Sequence, residues 1–454
     1  MIPFGSPAST LAPPTGVPRE RYRVFSRRNL DELPQLAGLP AEQRFEIDVV
    51  SRVLPFRVSA YVADELIDWG RVPDDPIFRL VFPQRAMLSS SDFDRVADAV
   101  RRGGPAAEIE RIAWDIRAKL NPHPADQVAL NQPHLDGQPV SGIQHKYDQT
   151  VLLFPARGQV CHSYCTFCFR WAQFVGDRSL TFATKQVDPF VRYLERKHQV
   201  SDVLVTGGDP MVMRAHHLAS YLEPLLERRL DHIHTIRIGT KSLSFWPHRY
   251  LSDPDADELL RVLERCVRAG KHVAIMAHVN HWRELDTPVV QQAIRKIRST
   301  GAVLRSQGPL LRGINDSAEV WARMWRDQVS LGVIPYYMFV ERDTGARQYF
   351  EVPLSRGWEI YREAMQSVSG LARTVRGPSM STSPGKVEIQ GVSEIGGEKV
   401  FVLRFIQGRN PDWVQRPFFA RYDQTATWLD DLEPAFDESE FFFEAEFRGM
   451  SASA

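Results

Sequence analysis

Short apolar runs alternate with amphipathic stretches along the middle of the chain. Between about residues 145 and 350, six runs rich in β-branched and aromatic residues are typical of strands. They are TVLLF (150–154), DVLVT (202–206), TIRIG (235–239), HVAIMAH (272–278), AVLRS (302–306) and GVIPYYMFV (332–340). The intervening stretches, such as ADELLRVLERCVRAG, have apolar residues at helical spacing. This alternation predicts parallel strands with right-handed crossovers, in a barrel or an open sheet, and six strands fit a partial barrel best.

The pattern is different on either side of this segment. Before it, apolar residues recur mainly at helical spacing, and the first residues are rich in Pro, Ser and Gly. After it, a helix is predicted over 354–371, and KVEIQGV and KVFVLRF, separated by SEIGGE, predict a β-hairpin. We therefore expect an α/β protein with a partial barrel between two extensions. The expected regions are a flexible lead (1–20), a helical N-terminal region (21–144), the partial barrel (145–350) and a small C-terminal region (351–454).

Composition and charge exclude several classes of partner. The chain of 454 residues has 56 Lys and Arg and 56 Asp and Glu, so its formal net charge is zero. A neutral chain has no overall field that attracts nucleic acid or an anionic membrane. The sequence shows no apolar run of about 18 residues, and its first residues do not show a basic segment followed by an apolar one, so we expect neither a membrane span nor a secretory signal. We expect a cytoplasmic protein whose partner is a small molecule rather than a nucleic acid or a membrane.

Three of the four cysteines lie within eight residues, at Cys161, Cys165 and Cys168, directly after the first predicted strand. So few cysteines in a long chain do not form a disulfide framework, and reduced thiols are free for metals or catalysis. Three thiolates suit an iron–sulfur cluster or a zinc ion. A structural zinc ion needs a fourth ligand, and Cys266 is remote while His162 is too close. The plain alternative is three buried cysteines that pack as small apolar residues.

CHSYCTFC resembles the signature of radical S-adenosylmethionine (SAM) enzymes, and Phe167 before the third cysteine is also similar. The resemblance implies a [4Fe–4S] cluster held by the three cysteines, with SAM chelated to the iron that has no protein ligand. It also implies reductive cleavage of SAM to a 5′-deoxyadenosyl radical, an electron donor such as flavodoxin or ferredoxin, and a partial (β/α)6 barrel.

VTGGDP, just after the second predicted strand, resembles the glycine-rich segment that binds the SAM amino group in that family. His278 and Gln307 fall at strand ends where related enzymes line the SAM site. Taken alone, a GGD sequence is more often a tight turn, and a polar residue at a strand end is more often a satisfied structural group. The residues implied for SAM are Gly207, Gly208, Asp209, His278 and Gln307.

The order of motifs is similar to that of the lysine 2,3-aminomutase family. HKYDQTVLLF, VLVTGGDP, RIGTKSL, SQGPLLRGIND, PYYMF and SPGK carry this similarity, over about 145–390. It implies a second cofactor, pyridoxal 5′-phosphate (PLP), bound to a lysine in a flexible loop, and it implies conversion of an α-amino acid to a β-amino acid.

Lys386 in SMSTSPGKVEI is the lysine that matches, and Lys146 falls where relatives have a basic residue near the PLP phosphate. A lysine amine is the group that forms an imine with a carbonyl cofactor. The plain alternative is a solvated loop lysine. The segment departs from the family because serines and a threonine replace most of its glycines.

Arginines occupy positions that bear on the substrate. Arg170 matches the arginine that relatives use for the α-carboxylate, a good partner for a guanidinium fork. Arg342 falls where the first of two aspartates that bind the lysine ammonium is expected, and the second falls on Arg376 or on Ser379, depending on the alignment. Since cations repel an ammonium group, an acidic substrate is favoured, with glutamate first and aspartate behind it.

Other functions stay open. Glu341 and Asp343 flank Arg342, so a shift of one residue restores an acid and with it lysine 2,3-aminomutase activity. A radical SAM enzyme that modifies a peptide or tRNA without PLP would leave Lys386 without a role. An electron carrier or zinc-stabilised binding module would not cleave SAM. The C-terminal region lacks the cysteine triad that binds a structural zinc in lysine enzymes of this group, so we expect no such zinc, and homo-oligomerisation is left open.

Overall fold

The computed structural model describes residues 20–121, 130–175 and 182–452. The predicted flexible lead lies outside these residues, apart from Glu20. The strands are β1 (Val24–Ser26), β2 (Arg57–Ser59), β3 (His134–Leu135), β4 (Gln138–Pro139), β5 (Ile143–Tyr147), β6 (Thr150–Leu153), β7 (Asp202–Val205), β8 (Thr235–Thr240), β9 (His272–His278), β10 (Val303–Leu310), β11 (Val333–Val340), β12 (Arg376–Ser381), β13 (Gly385–Ile395), β14 (Glu398–Gly408) and β15 (Pro417–Arg421).

Helices alternate with these strands through the middle of the chain. The α-helices are α1 (Ala41–Val50), α2 (Pro76–Val81), α3 (Ser90–Arg101), α4 (Ala106–Leu120), α5 (Asp188–Glu195), α6 (Ala215–Leu222), α7 (Ser242–Phe245), α8 (Ala256–Arg268), α9 (Pro288–Ser299), α10 (Ala318–Leu331), α11 (Arg347–Phe350), α12 (Leu354–Gln366) and α13 (Glu444–Ala452). In the described parts of the chain, no helix is long and apolar enough to cross a membrane.

Six strands, β6 to β11, lie side by side in chain order and pair in parallel. They correspond to the six predicted runs, so the prediction of a parallel α/β core is confirmed. Strands that are covered on both faces usually consist of continuous apolar runs. β9 is an example, since five of its seven residues are buried. The sheet order continues from β5 at one edge to β15 at the other, and these edge strands do not pair within the described residues. The barrel is therefore partial.

The N-terminal helices pack onto the barrel. Buried residues of both parts, such as Phe78, Val96, Ile236 and Ile275, belong to one continuous hydrophobic core. The apolar stripe of each amphipathic helix is thus covered by the barrel or by a neighbouring helix. The helical region consequently lies where it can contact the loops at the carboxyl ends of the barrel strands.

The C-terminal region extends the same sheet. β12 pairs with β11 in parallel, and β13, β14 and β15 then follow in antiparallel order. The predicted hairpin is confirmed as β13 and β14, but only Gly396 and Gly397 separate the strands, both with positive φ. The helix predicted over 354–371 ends at Gln366. A second hydrophobic core, which includes Trp413 and Phe418, covers this extension.

Candidate active site

The loop that carries the three cysteines follows β6 and lies against the N-terminal region. The Tyr164 backbone N–H donates to the Arg57 carbonyl oxygen at 2.8 Å, and the Thr166 N–H donates to the Leu80 carbonyl oxygen at 2.9 Å. Within the loop, the Cys168 N–H donates to the Cys165 carbonyl oxygen at 3.1 Å. Residues distant in sequence therefore fix the course of the cysteine loop.

The donor set consists of soft sulfur ligands of the kind that iron–sulfur clusters prefer. Cys161, Cys165 and Cys168 are all reduced and partly buried. Among the residues that the structure describes, no three His, Cys, Asp or Glu side chains converge closely enough to hold one metal ion. Burial raises the pKa of Cys168 to about 11, so metal loading must release thiol protons.

The glycines of the GGD segment allow a close backbone contact. A Cβ added at Gly208 would lie 2.6 Å from the Val160 backbone nitrogen, and Gly207 has a φ of +147°. The Asp209 N–H donates to the carbonyl oxygens of Gly158 and Val160, each at 3.0 Å. The loop after β7 is therefore pressed against the residues that immediately precede Cys161.

The carboxylate of Asp209 is occupied by donors from its own chain. It accepts from the Thr240 hydroxyl at 2.7 and 2.9 Å, and from the backbone N–H groups of Met211, Lys241 and Ser242 at 2.9 to 3.0 Å. Burial raises the pKa of Asp209 to about 6, although these hydrogen bonds oppose the shift. This side chain joins the carboxyl ends of β7 and β8, and its predicted contact with SAM stays a prediction.

His278 and Gln307 end up as neighbours beside the cysteine loop. They are directly paired in the register of β9 and β10. The His278 ring stacks on Phe167, between the second and third cysteines, with the ring centres 5.7 Å apart. Burial, with the charge of Lys241 behind it, lowers the pKa of His278 well below its usual range. Burial therefore favours the neutral imidazole. The structure brings His278 to the cysteine loop, with Gln307 as its neighbour on β10.

A buried ion pair lies behind this surface and was not predicted. The Lys241 Nζ donates to Glu284 Oε2 at 2.5 Å and to Asn280 Oδ1 at 2.9 Å, and Glu284 is fully buried. Asn315 in turn donates to the Asn280 carbonyl oxygen at 2.9 Å. The network joins the ends of β8, β9 and β10. Charged residues at strand ends were the only available sequence signal for it.

Lys386 lies on a strand, and its prediction as a loop residue is wrong in this respect. It is the second residue of β13 and pairs with Ser381 of β12 and Gln407 of β14. Its Nζ donates to Gln407 Oε1 at 3.2 Å and lies 4.2 Å from the centre of the Tyr337 ring. Serines and a threonine in place of the family's glycines favour the extended backbone seen here.

The surroundings of Lys386 favour its neutral amine. Burial, reinforced by the positive charges of Arg237 and Arg376, lowers the pKa of Lys386 to about 7. At neutral pH a large fraction of the side chain is therefore unprotonated. A neutral amine is the form that attacks a carbonyl carbon, so this lysine is chemically suited to bind PLP.

Two cations hold the turn between β12 and β13. Lys146 Nζ donates to the Thr382 carbonyl oxygen, and Arg409 Nε donates to the Ser383 carbonyl oxygen at 2.9 Å. Another Arg409 nitrogen donates to Asn131 Oδ1 at 2.6 Å. Lys146 thus lies close to the segment that carries Lys386, and its predicted place near the PLP phosphate stays a prediction. Arg409 was missed, because a lone arginine after a strand carries no motif.

The three predicted substrate arginines fall into two groups. The guanidinium carbons of Arg170 and Arg342 each lie 5.3 Å from the centre of the Phe169 ring. Arg376 instead lies 5.1 Å from the Tyr337 ring, on the side of Lys386. Burial lowers the pKa of Arg170 to about 10, and the charge of Arg342 contributes to the shift. The structure therefore pairs Arg342, and not Arg376, with Arg170.

Known proteins with similar sequences bear on this site. No protein-family model matches the chain. An Aquifex aeolicus protein named "Putative L-lysine 2,3-aminomutase" is 30% identical over 400 residues, which cover 88% of this chain and 93% of that protein. The chain belongs to the lysine 2,3-aminomutase family. The L-lysine 2,3-aminomutase of Fusobacterium nucleatum is 29% identical over 322 residues, 70% of this chain and 69% of that one. That of Bacillus subtilis is 25% identical over 380 residues, with 82% and 70% covered.

Solved structures overlap only in part. A radical SAM methyltransferase from Sphaerobacter thermophilus aligns with a TM-score of 0.38 and 14% identity, over 65% of this chain and 95% of that one. Streptococcus suis SuiB bound to the precursor peptide SuiA aligns with a TM-score of 0.35 and 14% identity, over 58% and 51%. Such partial overlaps carry no conclusion about this chain, and the strand order described above defines its fold.

Family membership confirms the resemblance seen in the sequence. The chain is a radical SAM enzyme of the aminomutase type, an isomerase, and the cofactors of its family are a [4Fe–4S] cluster, SAM and PLP. Its partner is a small-molecule substrate. The residues described above include three free thiols that could hold the cluster and a buried amine with a lowered pKa that could bind PLP, so the site fits these groups.

Proposed function

We propose that the enzyme is an amino acid 2,3-aminomutase that converts an acidic α-amino acid, glutamate first, to its β-isomer. The observation that supports this substrate is the pair of guanidinium groups on Phe169, contributed by Arg170 and Arg342. We further propose a cytoplasmic location, where reduced thiols persist, and a flavodoxin or ferredoxin as electron donor.

The cysteine loop would hold the cluster through Cys161, Cys165 and Cys168. When bound, the cluster and SAM supply the carbon radical that removes a substrate hydrogen, and PLP supplies the carbonyl that takes up the substrate amine. The strand ends around the cysteine loop would bind SAM. The residues proposed to do so are Gly207, Gly208, Asp209, His278 and Gln307.

Lys386 would carry PLP, and Lys146 and Arg409 would lie near its phosphate. The depressed pKa of Lys386 keeps the amine ready to exchange with a substrate amine near neutral pH. Tyr337 contacts the same amine and excludes water from one side of it. The cations on the β12–β13 turn would favour a phosphate dianion close to Lys386.

Electrostatics favours an acidic substrate over lysine. The guanidinium groups of Arg170 and Arg342 both contact the ring of Phe169, and the positive charge of Arg342 acts against that of Arg170. A second substrate carboxylate would relieve this repulsion, whereas an ammonium group would increase it. Glu341 adjoins Arg342, and burial raises the pKa of its carboxyl well above the usual range, while the charge of Arg342 acts in the opposite direction.

Lysine is the second candidate, because relatives bear the name L-lysine 2,3-aminomutase.

The test is anaerobic reconstitution with iron, sulfide and PLP, followed by SAM, dithionite and separate amino acids, with products read by mass spectrometry. β-Glutamate without β-lysine supports the proposal, and β-lysine alone contradicts it. 5′-Deoxyadenosine without any β-amino acid points to another radical SAM reaction. The Lys386→Met variant is the control that lacks the PLP amine.

A further inference from the structure

Arg57 belongs to the N-terminal region but lies along the cysteine loop. It begins β2, and its carbonyl oxygen accepts from the Tyr164 N–H at 2.8 Å. Two residues on, the Ser59 N–H donates to Ser163 Oγ at 2.9 Å. These hydrogen bonds fix β2 beside the segment that joins Cys161 to Cys165. The position of Arg57 is therefore set by rigid backbone on both sides.

The described residues leave part of the Arg57 guanidinium without a hydrogen-bond partner. Its Nε is buried and has no hydrogen-bond partner there. One of its terminal nitrogens donates weakly to the Tyr22 hydroxyl at 3.4 Å, and that hydroxyl donates to the His162 carbonyl oxygen at 2.9 Å. No carboxylate in the described ranges forms an ion pair with it. A buried N–H donor without an acceptor is costly, so this position favours an anionic acceptor.

The cysteine loop identifies that anion by its chemistry. The Tyr22 hydroxyl, which accepts from the guanidinium, donates to the carbonyl oxygen of His162, directly after Cys161, so the guanidinium lies beside the start of the cysteine loop. Three thiolates give a [4Fe–4S] cluster a net negative charge, which grows when the cluster takes up an electron. N–H donors and positive charges beside cluster sulfur favour the reduced state.

We propose that Arg57 is the counter-charge and N–H donor of the iron–sulfur cluster, and that it raises the reduction potential of the cluster. It would stabilise the reduced cluster, which must form before SAM is cleaved, and would do so without contacting substrate or PLP. This inference rests on the proposed cluster site, but not on the proposed substrate. Arg57 is thus a residue that tunes the cluster rather than a catalytic residue.

The test is a redox titration of the reconstituted full-length enzyme without SAM, with the electron paramagnetic resonance signal of the reduced cluster as the readout. The variants are Arg57→Gln, Arg57→Lys and the control Arg23→Gln, which removes an exposed arginine from the neighbouring part of the chain. We expect the midpoint potential to fall in Arg57→Gln, to lie between in Arg57→Lys, and to stay unchanged in Arg23→Gln.

Iron analysis separates the failure of this inference from that of the cluster site. Wild-type protein that binds no iron would overturn the cluster site itself. An Arg57→Gln protein with full iron content and an unchanged potential would overturn the role of Arg57 alone. If Arg57→Gln does not retain iron, the Arg57→Lys potential decides: a value below that of the wild type supports the proposal, and an equal value rejects it.

Discussion

At the scale of single residues, the amine of Lys386 is prepared for reaction by its surroundings. Because its pKa is about 7, Lys386 loses its proton near neutral pH rather than near pH 10. We expect the initial rate of PLP uptake by the apo-enzyme, followed by its visible absorbance, to rise as pH increases through about 7 and then to level off. Arg376→Gln should move this midpoint to higher pH, because it removes one of two cations that favour the neutral form.

A matched control is available for this measurement. Arg305 lies over the Tyr336 ring, which Arg376 also contacts, but it is not among the charges that act on Lys386. Arg305→Gln should therefore leave the midpoint where it is in the wild type. A midpoint near the ordinary lysine pKa in the wild-type protein would show that Lys386 is solvated. It would contradict the lowered pKa from which this prediction is made.

Asp209 is the residue whose loss should cost most stability near the cysteine loop. Its carboxylate accepts hydrogen bonds from the Thr240 hydroxyl and from three backbone N–H groups, and all of these donors are buried. Asp209→Ala would leave these donors unpaired, and we expect a loss of about 3 kcal/mol in the free energy of unfolding. Urea unfolding without SAM measures it, and Asp209→Asn, which keeps one oxygen, should lose less. A loss below about 1 kcal/mol for alanine would contradict this role.

At the scale of elements, the loop after β7 acts as a support for the cysteine loop. Gly208→Ala would place a methyl group 2.6 Å from the Val160 nitrogen, and backbone cannot move aside as a side chain can. We expect this variant to keep its fold by circular dichroism but to bind severalfold less iron on reconstitution. Gly38→Ala is the control, since nothing lies within 4 Å of a Cβ there. Equal iron contents would refute the support role.

Glu388 plays a comparable part for β13, the strand that carries Lys386. Its carboxylate on β13 accepts from Arg404 at 2.8 to 2.9 Å and from the Gly377 N–H of β12 at 3.1 Å. We expect Glu388→Gln to lower the free energy of unfolding by about 2 kcal/mol, because a buried charged acceptor is lost. Thermal or urea unfolding tests this, with exposed Glu394 on the same strand as the matched control. Equal losses of stability in the two variants would show that the hydrogen bonds of Glu388 do not stabilise β12 and β13.

Elements were predictable where the pattern is local. The six barrel strands were predicted because each is a continuous apolar run between turn residues, and β9 shows this most clearly. Lys386 was placed in a loop because Pro384 and Gly385 precede it and the pairing with Gln407 is not visible in its letters. The sequence pattern predicts SEIGGE as the connection between the two strands. β13 and β14 extend into it because the pairing between them continues there.

At the scale of the whole molecule, long-range packing escaped the sequence. Ser59 and Ser163 are 104 residues apart in sequence, yet their hydrogen bond helps to fix the cysteine loop. Nothing in the letters around Arg57 marks it as a neighbour of Cys161. The cysteine spacing and the motif order predicted the chemistry, because both can be read directly from the sequence. The packing of the N-terminal region over the site depends instead on how two distant regions share one core.

Since the cysteine loop contacts both the N-terminal region and the barrel, cluster loading should stabilise the molecule as a whole. A ligand that binds only the folded state raises its stability by mass action, and we expect the loaded enzyme to melt roughly 5 °C above the apo-enzyme. Differential scanning calorimetry under anaerobic conditions measures this difference. Cys161→Ala should lose it, while Cys266→Ala, which alters a buried cysteine outside the loop, should keep it. An equal difference in both variants would mean that the stabilising metal binds elsewhere.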